Sequence, residues 1–376
     1  MTLGQRHGRA GVIWRGALLL MLGGFLTVAA GAQAAGPRVV TGAAPVTAAV
    51  ATDDLPLTRL RVVGGLGNTS QYHNIEEPFW TNRLAELSHG RITAEVTPSD
   101  GLGIRSSDMI MLMRLGVIPF GTASLALIAG EDAQAAAIDL PGLNPDIATL
   151  RRHAAAYRDS LAAVYRERYN IELLALWTYP AQVLFCNQPI TGLGSLAGKR
   201  VRTASALHAD FVEALGAIGV TLPFNQMVDA LRRHAVDCAV TGTLSGNFQK
   251  LYEVTTHLYP LPISWGPNIF AANLSAWRRL PEEVRSFLRK QLEGLEEEIW
   301  ARAEYETEQG ISCNVGRPDC KLGVPAHMVE VPVQAKDRQL ARKILQDVII
   351  RRWADRCGDE CVEQWEDTIG VLAGLK

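Results

Sequence analysis

Between Gly198 and Thr241 the chain alternates short strand-like and helix-like segments, and no other stretch restricts its fold as much. Lys199 to Arg202 reads as a short basic strand, after which Phe211, Leu215 and Ile218 recur on one helical face. Gly219 interrupts that face. Val220-Thr221-Leu222 then reads as a second strand, Met227 to Arg233 as a second helix and Val236 to Val240 as an apolar third strand. Strand, helix, strand, helix, strand predicts an α/β fold built on a parallel sheet with covering helices. Ligands of such sheets lie beyond the carboxyl ends of the strands, where Arg202 and Thr241 both fall. Arg202 is the leading binding candidate, because a guanidinium is a planar, permanently charged fork that matches a carboxylate with two parallel hydrogen bonds.

The segment ahead of this core reads as an export signal. Arg6, Arg9 and Arg15 precede an uncharged apolar run from Gly16 to Gly31, and Ala32-Gln33-Ala34 forms a small-residue cleavage site. Residues 1–34 are therefore expected to be a signal peptide and 35–57, rich in Ala, Val, Thr and Pro, a flexible leader. No cysteine lies near the cleavage site, and no later stretch is long and apolar enough to span a bilayer. Cleavage removes three arginines and no acid, so a formal charge of −2 becomes −5. With no basic tract, nucleic acid is not an expected partner, and any anion must be captured by locally placed arginines. Six cysteines fit an oxidising compartment. Cys313 and Cys320 flank one short loop and Cys357 and Cys361 another, which predicts two local disulfides; the first spacing is poor for zinc. Cys186 and Cys238 sit on separate strands, and either a bridge or two buried thiols is compatible with that placement.

Elsewhere, Thr58 to Val63 reads as the first strand, running into Gly64-Gly65-Leu66-Gly67-Asn68-Thr69-Ser70 and a helix containing Phe79 and Trp80. The third glycine of a dinucleotide fingerprint is replaced by Ser70, so no nucleotide cofactor is expected. A helix N-terminus with free N–H groups near Asn68 would instead favour an anion. Arg91 to Thr97 and Val117 to Ser124 read as strands, and Leu150 to Tyr169 as a long amphipathic helix. Pro281 starts another helix, reaching about Gln309, with Glu282 and Glu283 in its first turn. The histidines are scattered without metal-site spacing. Ser245 in GTLSGN sits one place too late for a nucleophile elbow, so neither catalytic residues nor a metal are expected.

Over roughly residues 58 to 310 these pieces, in this order, resemble the periplasmic solute-binding proteins of TRAP transporters, the DctP-like family. The matching segments are Arg91 to Leu102, Gly198 to Thr203, Ala214 to Ala217, Pro223-Phe224, Gln226 to Leu231, Val236-Asp237-Cys238, Tyr252-Glu253-Val254 and Trp277 to Pro281. The resemblance implies a two-lobed periplasmic-binding-protein fold with a ligand cleft between lobes and a long helix bracing both. One lobe would comprise 58–180 with about 267–310 and the other 181–266, the chain crossing between them in Leu173 to Asn187 and Tyr259 to Asn273. Residues 311–376 would form a cysteine-containing helical region packed on the lobes. It further implies that Arg202 grips a ligand carboxylate, that Phe224 stacks on the ligand, and that Ser124 and the Asn68 turn contribute from the first lobe. Two departures narrow the ligand. Thr241 stands where sugar-acid binders carry asparagine, and Gln182 where some members carry a second arginine. With Trp80, Trp177, Trp265 and Asn268 expected near the cleft, a monocarboxylate or a keto or hydroxy acid with an apolar or aromatic body is favoured. A dicarboxylate or sugar acid is the alternative; an exported hydrolase or a ligand-presenting sensor comes second. The expected partner is the membrane permease of a TRAP transporter, the expected location the periplasm.

Overall fold

A computed structural model describes residues 52–375; the segment read as a signal peptide and most of the expected leader lie outside them. Two mixed sheets organise the molecule. The first has the order β2 (Ile92–Pro98), β1 (Thr58–Gly64), β3 (Phe120–Ser124), β10 (Pro267–Asn273), β4 (Ile171–Thr178). The second has the order β11 (Val329–Glu330), β9 (His257–Ser264), β5 (Gln182–Cys186), β8 (Cys238–Gly242), β6 (Arg200–Thr203), β7 (Ile218–Thr221). The stretch around Arg202 forms the parallel trio β8-β6-β7, with Arg202 opposite Val220 on one side and Ala239 on the other. The β8 strand starts at Cys238, two residues later than hydropathy suggested, because Asp237 turns away to hold Arg200 at 2.8 Å.

Two short passages connect a strand of one sheet directly to a strand of the other. The chain leaves β4 through Tyr179-Pro180-Ala181 into β5 and returns from β9 through Trp265-Gly266 into β10. These passages run side by side: Gln182 pairs with Ser264 and Thr178 with Pro267. Every residue of β10 is buried, as expected for a central strand covered on both faces.

Helix α1 (Ile147–Tyr169) packs on β4, and α2 (Ala206–Glu213) on the second sheet's edge. Helix α3 (Glu282–Val315), roughly 50 Å long at 1.5 Å per residue, joins both lobes. Against β4, Trp300 Nε1 donates to Leu176 O at 2.9 Å, while Glu296 Oε2 accepts Leu176 N–H at 2.9 Å. Further along, Asn314 Nδ2 donates to Thr243 O at 2.9 Å in the second lobe. The helix runs past Gln309 because Gly310 is not a stop: a Cβ there would lie 2.2 Å from Leu244 N, so the glycine lets two backbones touch. Its end is Gly316, left-handed at φ +76°, a residue past the last helical turn.

Beyond α3, β11 joins the second sheet, and the helical run containing α4 (Ala335–Ile344) and α5 (Ile350–Cys357) is fastened to both lobes. Arg352 and Arg356 both bind Asp210 of α2, whereas Trp353 and Trp365 donate to Ala133 O and Ala137 O of the first lobe, each at 2.8 Å. Cys313–Cys320 and Cys357–Cys361 are bridged, which leaves those four thiols unavailable to zinc. Cys186 and Cys238, directly opposite each other on β5 and β8, form a third disulfide.

Candidate functional site

A cavity of about 590 Å³ opens between the sheets. The second lobe supplies the carboxyl edge of β6 and β8, and the first lobe supplies the glycine turn after β1, the end of β3 and the loop Asp100–Ser107.

Arg202 lies in the wall of this cavity and is 2% exposed. Its guanidinium is held by backbone carbonyls of the neighbouring strands: Nε and Nη2 donate to Leu222 O at 3.0 and 2.7 Å, and Nη1 to Val240 O at 3.0 Å. No described acid forms an ion pair with it. Burial lowers its pKa to about 10, leaving it protonated at any neutral pH yet without a counter-charge. Isolated buried charge is costly, so the protein maintains here an electrostatic demand that an entering anion would satisfy.

Around Arg202 the cavity brings together Phe224, Thr241 and Gln182 from the second lobe and Asn68 and Ser124 from the first, all residues singled out in the sequence. Gln182 Nε2 donates to Pro180 O at 2.9 Å and Trp265 O at 3.2 Å, binding the two interlobe passages together and leaving its amide oxygen for the cavity. Asn68 Oδ1 is buried with no partner.

Four expected residues sit elsewhere. Trp80 packs edge-on against Phe79 and, with Trp177, against Phe270; the aromatic group fills the core around β4 and β10. Trp265 turns its Nε1 to Asn144 O at 3.0 Å, and Asn268 donates to Gly266 O at 3.0 Å. None of the four lines the cavity, because the central strands bearing or facing them are covered on both sides. The glycine turn also differs from expectation. Its N–H groups are taken internally: Gly65 N–H by Glu76 Oε2 at 3.0 Å and Gly67 N–H by Asp100 Oδ1 at 2.8 Å. The glycines serve packing, since a Cβ on Gly64 would meet Tyr72 at 2.5 Å and one on Gly67 would meet Pro98 at 2.8 Å. Burial pushes Glu76 up to about 7, with hydrogen bonds from Thr122 and Gly65 opposing the rise.

Two further residues line the cavity: Tyr179, which the sequence leaves between pocket and core, and His208, which carries no sequence signal strong enough to single it out. Tyr179, in the first passage, has its phenol pushed up by burial and accepts the Leu66 N–H. His208 sits in the first turn of α2, capped by Ser205 Oγ. The available clue was positional: the first helical turn after β6 must face the same sheet edge as Arg202. Behind the cavity, Asp139 Oδ2 accepts the N–H groups of Trp265 at 2.8 Å and Gly266 at 2.9 Å, fixing the return passage; burial raises this carboxyl to about 6.

Residues 67–322 match the family model described as bacterial extracellular solute-binding protein, family 7 (DctP). The C4-dicarboxylate-binding periplasmic protein DctP of Rhodobacter capsulatus is 25% identical over 211 residues, spanning 55% of this chain and 63% of that one, short of two thirds of its length. Among solved structures, a TRAP periplasmic solute-binding protein from Desulfovibrio salexigens with bound orotic acid superposes with a TM-score of 0.72 at 20% identity, over 84% of this chain and 99% of the other. DctP7 of Bordetella pertussis, an extracytoplasmic solute receptor binding pyroglutamic acid, gives 0.71 at 18% identity, over 82% and 98%. The two-lobed fold is thus shared with both. The family and these relatives are solute-binding receptors, not enzymes.

Proposed function

This chain belongs to the family 7 bacterial extracellular solute-binding proteins, and from that premise we propose that it is the exported receptor of a TRAP transporter. It captures a small organic acid between its lobes and delivers it to an ion-driven membrane permease. The observation that carries this reading is the buried Arg202 guanidinium, fastened by Leu222 O and Val240 O at the cavity wall and without an acid partner among the described residues. A ligand carboxylate supplies the missing charge, and contacts from the opposite lobe then favour the closed form. The signal peptide read in residues 1–34 supports a periplasmic location.

Within that class the favoured ligand is a monocarboxylate or a keto or hydroxy acid with an apolar or aromatic body. Phe224 offers a ring face, Gln182 replaces a second cation, and Thr241 offers one hydroxyl. A dicarboxylate reading has one specific support besides the Rhodobacter relative's name: Arg105, on the first-lobe loop, borders the same cavity while paired with Asp108 at 2.8 Å. A thermal-shift panel of monocarboxylates, keto and hydroxy acids, dicarboxylates and sugar acids separates the two. The favoured reading predicts stabilisation by monocarboxylates and by keto and hydroxy acids, about 2.7 kcal/mol at a hundredfold excess over Kd. Stabilisation by dicarboxylates or sugar acids alone overturns it. Arg202→Met should weaken binding of every responding acid by about 2–5 kcal/mol in titration calorimetry; unchanged affinity sinks the receptor site itself.

A further inference from the structure

His208 is 4% exposed and lines the cavity beside Arg202, whose positive charge adds to burial in keeping the imidazole neutral down to about pH 4. Its Nε2 lies 2.7 Å from Ser264 Oγ, at the end of β9 where the chain starts its return between lobes. Its Nδ1 is buried and has no partner. His208 borders both the main cavity and a crevice of about 10 Å³ that is too small for a solute, so of these two spaces only the main cavity can bring a ligand to this side chain. Buried polar atoms in proteins are almost always paired, so an unpaired one on a side chain that lines a binding cavity calls for a partner.

The chemistry of that nitrogen is unusual in being adjustable. A neutral imidazole has one donor and one acceptor, and a serine hydroxyl can serve as either. When Ser264 Oγ accepts from Nε2–H, Nδ1 is an acceptor; when the hydroxyl donates to Nε2, Nδ1 carries the proton and is a donor. Neither choice costs an ionisation.

Resting on the receptor reading above, we propose that His208 is the specificity-determining residue for the ligand's second polar group. It takes either a hydroxyl or a carbonyl next to the carboxylate held by Arg202, and disfavours acids that lack both. A hydroxy acid donates its O–H to Nδ1, and a keto acid accepts from Nδ1–H after the His208–Ser264 pair switches tautomer. The site therefore separates functionalised acids from plain ones without distinguishing the oxidation state of the substituent.

The matched trio phenyllactate, phenylpyruvate and 3-phenylpropionate tests this by titration calorimetry on the mature protein. Expected for the native protein is about ten- to a hundredfold tighter binding of the first two than of the third. His208→Leu should bring all three to the affinity of the plain acid, while His208→Gln, which keeps a donor and an acceptor, should retain part of the preference. Melting of each unliganded variant checks that it is folded. In 15N spectra of labelled histidine, Nδ1 of His208 should shift as an acceptor with phenyllactate and as a protonated nitrogen with phenylpyruvate. Equal affinities in the native protein, with Arg202→Met still abolishing them, overturn the role of His208 and leave the receptor reading standing. A preference that survives His208→Leu overturns it likewise. If none of the three acids binds the native protein, the role proposed for His208 falls, and the wider acid panel above decides the receptor reading.

Discussion

Arg202 and Glu76 are opposite solutions to one problem, a chargeable group taken out of water. Arg202 stays ionised because even a lowered pKa of about 10 is far above neutrality, whereas Glu76, raised to about 7, holds its proton through much of the mildly acidic range. In the unfolded chain Glu76 would lose that proton near pH 4.5. Between about 4.5 and 7 the folded state therefore binds the extra proton, and stability falls as pH rises. Asp139, raised to about 6, acts in the same direction. His153 and His208, both lowered to about 4, act in the other, adding stability as pH rises from about 4 to 6.5, where the unfolded imidazole still binds a proton. Glu76→Gln removes one contribution cleanly. Relative to the native protein the variant should gain on the order of 1–3 kcal/mol between pH 5 and pH 8, read as a pH-dependent difference in urea midpoints; a constant difference counts against a buried, titrating Glu76. At this scale the sequence was only partly legible. Arg202 could be found because a strand end in a βαβ unit fixes where its side chain goes. Trp80 and Trp177 were misplaced because an aromatic residue gives one signal whether it faces a ligand or Phe270. His208 has no local pattern, and only the tertiary fold, which brings Ser264 at the end of β9 to its ring, discloses its partner.

The alternation of strands and helices, being a local property, was readable across the parallel trio β8-β6-β7, and so was the start of α3 at Pro281. What escaped was contact between distant elements. The Cys186–Cys238 bridge needs the register of β5 against β8, which no spacing rule provides. The continuation of α3 past Gly310 depends on how closely it approaches Thr243 and Leu244, 66 or more positions earlier in the chain. Two glycines in this helix make a matched test. Gly310→Ala places a methyl group against Leu244 backbone and should cost about 1–3 kcal/mol or more through overpacking. Gly294→Ala, with nothing within 4 Å of the added carbon, should instead stabilise the helix by up to about 1 kcal/mol. Denaturant unfolding of both variants decides it, and equal effects would mean that α3 does not press on the second lobe at that point.

At the level of the molecule, the lobes are joined by two short adjacent passages, by α3 and by the C-terminal helices anchored at Asp210 on one side and at Ala133 and Ala137 on the other. The passages carry the flexible glycine, Gly266 at φ +86°, together with Tyr179 and Gln182, which also line the cavity. The cavity wall and the interlobe passages thus share residues. Small-angle scattering should show a smaller radius of gyration with a bound acid than without, and Arg202→Met should abolish the change; identical curves would mean a cavity that binds without closing.

The strand orders also govern how the chain can assemble in time. In the first sheet β3 and β4 never touch, since β10 lies between them; in the second, β5 needs β9 along one flank. A polypeptide threaded outward from its N-terminus thus has no complete sheet to settle into until residue 273 has emerged, and both lobes lock around the same late arrival, the segment from β9 to β10. Completion of either sheet is therefore a late event in the order of the chain, imposed by the weave itself.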